Sequence, residues 1–177
     1  MRTKMLALII VATLVLGTVG CGDSSSAKYQ HDMSELTARR KQLLSAVTET
    51  NNEWAKDEGG ISSPGTADIA TLQNAMSSLV DKYTAIYQGY YSELEKMTQQ
   101  AREMTPPTAY KKFHGLYVKS CEGYLDWLES ISEGLAPLKH FDTNTQVLMQ
   151  KAQAHTDQLL ESAKSYNDQA IEAYPGN

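Results

Sequence analysis

The chain has 177 residues, 41% of them hydrophobic and 21% charged, with 11 Gly, 5 Pro and 2 Cys. That composition supports one globular core and excludes a collagen-like repeat, a disordered acidic tail and a small disulfide-stapled scaffold. The formal net charge is −5, which lacks the basic footprint that nucleic acid demands.

Arg2 and Lys4 are the only charges before Asp23, and Met5 to Leu16 is an apolar run containing one Thr. A positive start, a short apolar stretch and small residues ahead of a cleavage point describe a secretory signal. Thr18-Val19-Gly20-Cys21 come next. They resemble the lipobox of bacterial lipoproteins, in which a branched apolar residue and a small residue precede the lipidated cysteine. Val19, Gly20 and Cys21 fit, and Thr18 stands where Leu is usual. The resemblance implies cleavage before Cys21, a diacylglyceryl thioether on that residue, and acylation (a palmitate, for example) of its new amino group. Two or three chains give stable membrane attachment, whereas one would be marginal. The protein is then extracytoplasmic, held on the cell membrane or the outer membrane. The competing reading is an uncleaved anchor over residues 5 to 22, a stretch at the lower limit for a span. The polar run Gly22 to Ser26 suits processing better.

Cleavage removes two of the 16 Lys+Arg and none of the 21 Asp+Glu, leaving 14 against 21 and a net charge of −7. Overall charge would not draw such a chain onto anionic lipid, so the anchor must supply the attachment. Arg39-Arg40-Lys41 and Lys111-Lys112 read as solvated helix faces. With Cys21 lipidated, Cys121 has no intramolecular disulfide partner and reads as a small buried residue.

After a flexible spacer over 21–30, helical periodicity runs through a single domain, 31–177. Helix one is expected over about 31–56, with Met33, Leu36, Leu43, Val47 and Trp54 on one stripe and Arg40 and Thr50 completing the spacing. Asp57 to Gly65 reads as a loop on composition. Helix two, about 66–104, carries Ile69, Leu72, Met76, Leu79, Tyr83, Ile86, Tyr90, Leu94, Met97, Ala101 and Met104 at steps of three or four, the seam of a packed, coiled-coil-like helix. Thr105-Pro106-Pro107 breaks it. Helix three, about 108–135, shows Phe113, Tyr117, Cys121, Tyr124, Leu128, Ile131 and Leu135. Helix four starts near Asp142 or Thr143, where Thr143 and Gln146 have capping-box spacing, and carries Leu148, Ala152, His155, Leu159, Ser162 or Ala163, Tyr166 and Ala170. Four long helices with short connections predict an all-α fold, an antiparallel up-down bundle.

Folding the chain at Ile61, Pro106 and Leu138 places His31 or Met33, Tyr90 or Tyr91, Cys121 and His155 at one level. Three readings follow. Cys121 and His155 could form a nucleophile pair, although no third orienting group is evident. Tyr90, Tyr117, Cys121 and His155 could line a ligand slot between helices two and three. Packing alone also accounts for them, and 10 Tyr against 2 Phe and 2 Trp suits a thin bundle with a wet core edge. Glu-x-x-His pairs, Cys-x-x-Cys-His, Gly-x-Ser-x-Gly, His-Glu-x-x-His and phosphate-binding glycine loops are all missing. No metal and no cofactor is therefore expected. Beyond the signal, the helical hairpins resemble those of small bacterial lipoproteins, which implies no activity. The expectation is a non-enzymatic interaction or structural module of the cell envelope, attached to the membrane by lipid and meeting an envelope protein partner.

Overall fold

The computed structural model describes residues 24–61, 68–139 and 145–175. Cys21, Thr143 and residues 5–22, the alternative anchor, lie outside them. Among the described residues no helix is long and apolar enough to cross a membrane.

Among the described residues four helices make up the architecture: α1 Ser24–Ile61, α2 Ile69–Glu103, α3 Lys111–Leu135 and α4 Thr145–Glu172. Single 3-10 turns over Thr108–Tyr110 and Ala136–Lys139 flank α3. Side-chain pairs fix the directions. Arg39 meets Gln100 and Thr50 meets Tyr90, so α1 and α2 are antiparallel. Arg102 meets Glu122 and Asp81 meets Lys139, so α2 and α3 are antiparallel. Ser120 meets Ala163 and Ser130 meets Thr156, so α4 runs back along α3. The result is the expected all-α, up-down bundle.

Two boundaries differ from the sequence reading. α1 begins at Ser24 rather than near residue 31, so residues 24–30 are not spacer, and Tyr29 is core. α1 also continues through Asp57, Glu58, Gly59 and Gly60 to Ile61, where a loop was expected. Glycine only weakens a helix by about 1 kcal/mol per residue, and packing overrides it here: Asp57 accepts hydrogen bonds from Lys82 and Tyr83 of α2. At the start of α2 the Asp68 carboxylate accepts from the Thr71 N–H, a conventional N-cap.

The stripes mostly become core. Met33, Leu36, Leu43 and Val47 of α1 are buried, and so are Arg40 and Thr50. On α2 the buried line is Met76, Val80, Tyr83, Tyr87, Leu94, Met97 and Ala101, so Val80 and Tyr87 replace Leu79 and Ile86, which are half-buried, and Ile69 is exposed. α3 is buried on a wider arc, adding His114, Ser120, Leu125, Trp127 and Ser130 to the expected set, because α1, α2 and α4 all pack against it. α3 and α4 approach closely at Gly123, where an added Cβ would lie 3.0 Å from the Ala163 Cβ.

Candidate functional site

The polar centre of the bundle is Arg40. It occupies a core position on α1 between Leu36 and Leu43, so the three-and-four spacing that buries those two also buries its guanidinium, which is 6% exposed. Arg39 and Lys41 beside it are exposed, so only the outer members of that basic cluster are solvated. The guanidinium lies 4.3 Å from the Tyr117 ring centroid and 5.9 Å from that of Tyr124, within cation–π range. Its Nη2 donates to the Asn167 side-chain oxygen at 2.6 Å, and its Nη1 lies 3.4 Å from both Ser120 Oγ and Cys121 Sγ. Among the described residues no carboxylate pairs with it. Faces of aromatic rings, an amide oxygen and a thiol therefore surround a charge that is expensive to bury. Arg40 thereby ties α1 to α3 and α4 in one register.

Cys121 is fully buried beside Arg40. Tyr117 is 1% exposed, and its hydroxyl has no hydrogen-bond partner among the described residues. Burial, followed by the neighbouring Cys121, pushes the Tyr117 phenol well above its ordinary value and keeps it neutral. Tyr117 and Cys121 thus share one layer, as expected, but Tyr90 and His155 do not join them. The Tyr90 hydroxyl is 2.9 Å from Thr50 Oγ1. Thr50 is ten residues along α1 from Arg40, about 15 Å away. His155 is exposed on α4. The α4 residue level with Ser120 is Ala163, which accepts its hydroxyl. His155 lies eight residues away, about 12 Å along the axis. The Cys121/His155 pair is not formed. The expected layer fails because the contacts of Thr50 with Tyr90 and of Ser120 with Ala163 centre the α1–α2 and α3–α4 turns later in the chain than Ile61 and Leu138, which moves both registers.

A second cluster sits where α1 and α3 begin and α4 ends. Tyr29 is hydrogen-bonded to His114 Nδ1 at 3.0 Å, and its ring centroid is 5.3 Å from that of Tyr110. Tyr174 packs edge-on to Tyr110 at 5.5 Å and to Phe113 at 5.1 Å. Gln30 donates to the Tyr110 hydroxyl. Burial holds the His114 imidazole below its ordinary value, which favours the neutral ring. His31, expected as an alternative to Met33 at the level of Cys121, is exposed and 3.4 Å from Glu35.

An open groove of about 550 Å³ separates α2 from α3, lined by Thr84, Gln88, Tyr91, Ser92, Leu128, Glu129, Ser132 and Glu133. None of Tyr90, Tyr117, Cys121 or His155 lines it. Among the described residues no group of three His, Cys, Asp or Glu side chains could hold a metal. Among the described residues the large apolar side chains left exposed are Ile69 in the first turn of α2 and Val147 and Leu148 in the first turn of α4.

Sequence reasoning missed Arg40 as the polar centre. The signal was its place on the apolar stripe of helix one. No family model, curated protein or solved structure matches the chain.

Proposed function

We propose that the protein is an extracytoplasmic lipoprotein whose helical bundle serves as a non-enzymatic interaction or structural module of the cell envelope. The observation that carries this reading is the ordered series of Arg2 and Lys4, the apolar run Met5 to Leu16, and Val19-Gly20-Cys21. Each part matches a step of lipoprotein export: retention of a positive end, insertion of a short apolar stretch, and acylation of a cysteine behind a small residue.

The interaction role is supported by Ile69, Val147 and Leu148, which lie on the first turns of helices that start at the end of the bundle far from Cys21. Apolar side chains left in water at one end suit contact with a protein partner. An enzyme built on Cys121 and His155 loses its basis with the separation of the two residues. A ligand slot keeps only the open α2–α3 groove, without the residues first assigned to it.

Mass spectrometry of the N-terminal peptide from membrane-extracted protein tests the reading. The expected species begins at Cys21 and carries two or three acyl chains. A peptide beginning at Met1, or an unmodified Cys21, would contradict it.

A further inference from the structure

Acylation of Cys21 sets how far the bundle can stand from the bilayer, and the inference here rests on that lipid-anchor reading. Only Gly22 and Asp23 separate Cys21 from the first residue of α1. Three residue steps at full extension span about 10 Å, little more than the polar layer on one side of a bilayer, roughly 5–8 Å. The start of α1 is therefore held at the headgroups, and whichever part of the bundle shares that level is held there with it.

That level is defined by packing. Tyr29 and Gln30 of α1 touch Tyr110 and His114 at the start of α3, and Tyr174 at the end of α4 packs on Tyr110. The turn from Met104 to Tyr110 closes the same end, with Thr105, Thr108 and Ala109 exposed. Charge singles this end out. Lys28, Lys111 and Lys112 lie there against Asp32 and Glu172, with Asp23 in the linker, an even balance, whereas the mature chain as a whole has 14 basic and 21 acidic side chains. Asp32 is already engaged by Lys28. Lys111 and Lys112 are exposed, and neither makes an ion pair among the described residues. Laying the bundle on its side would press its acidic flanks against anionic lipid, which is repulsive within a Debye length.

We propose that the α2–α3 turn, with Lys111 and Lys112, is a membrane-docking surface that rests on anionic phospholipid headgroups. The bundle stands end-on, and the starts of α2 and α4 point away from the membrane. The anchor supplies the attachment, and the two lysines, reaching lipid phosphates, set the orientation.

The test uses acylated full-length protein reconstituted into phosphatidylcholine vesicles containing phosphatidylglycerol, with quenchers on the lipid headgroups. A fluorophore is placed at Thr108→Cys or at Lys151→Cys, each with Cys121→Ser. Lys151 lies on α4 about 30 Å from the docking end by helix rise. Headgroup quenching is expected to be several-fold stronger at position 108 than at position 151. Lys111→Glu with Lys112→Glu should reduce that ratio toward one, with the circular dichroism spectrum unchanged. Equal quenching at both positions would mean a side-on bundle, and no quenching at either a bundle held clear of the lipid. Either result, in protein that still floats with the vesicles, overturns the docking surface and leaves the anchor standing. Quenching at 108 that survives both lysine substitutions overturns the role given to the lysines. Protein that carries no acyl chain and does not float overturns both the anchor and this inference.

Discussion

Arg40 has a buried guanidinium that no carboxylate among the described residues pairs with, held by Tyr117, Tyr124 and Asn167. Arg40→Ala leaves a cavity between the two rings and an unpaired Asn167, and is expected to cost about 2–4 kcal/mol. Arg40→Met refills much of that volume without a charge to desolvate, so it should cost less than about 1 kcal/mol or stabilise. Urea unfolding midpoints of the two variants decide between them; equal losses would mean that the charge itself stabilises the fold. His114 makes a pH prediction. Because burial lowers its proton affinity in the folded state, the unfolded chain takes up the proton first as pH falls through about 6.5. Stability contributed by the neutral ring is therefore complete above that range and is lost as pH drops below it. Melting temperatures from pH 8 down to pH 5 should fall more steeply for the native protein than for His114→Phe. Identical slopes would contradict this.

At the scale of the helices, glycines separate close contact from open surface. Gly123 faces Ala163 so closely that an added methyl group would lie 3.0 Å from its Cβ and 3.1 Å from its Cα, whereas a methyl group at Gly89 or Gly115 would meet nothing within 4 Å. Gly123→Ala should force α3 and α4 apart and cost about 1–3 kcal/mol. Gly89→Ala or Gly115→Ala should stabilise by about 0.5–1 kcal/mol through the unfolded chain. Thermal unfolding of the three variants checks the contrast. Helix type and direction were legible because steps of three and four dominate the apolar positions, and Thr105-Pro106-Pro107 forces a break. Helix ends were less legible. Gly59-Gly60 has the composition of a loop, yet the segment stays helical beside the Asp57–Lys82–Tyr83 contacts. Such a contact is tertiary and leaves no local mark.

For the whole molecule, register decides which polar residues meet. Tyr117 and Cys121 were found together because they lie one turn apart on a single helix, where spacing suffices. Tyr90 and His155 were misplaced because their levels depend on where three turns fall, and an error of a few residues at each turn moves a side chain by about 1.5 Å per residue. The burial of Arg40 was legible only as a charged residue on an apolar stripe; that it would sit on tyrosine faces required the positions of α3 and α4.

The central claim is that acylated Cys21 holds this bundle at a membrane, and Cys21→Ser tests it most directly. Fractionation of cells expressing the native protein and the variant is the measurement, with fatty-acid labelling in parallel. The native chain is expected in the membrane fraction with label. The serine variant should lose the label and keep the uncleaved, slower-migrating form. Identical labelling and mobility for the two proteins would contradict the account.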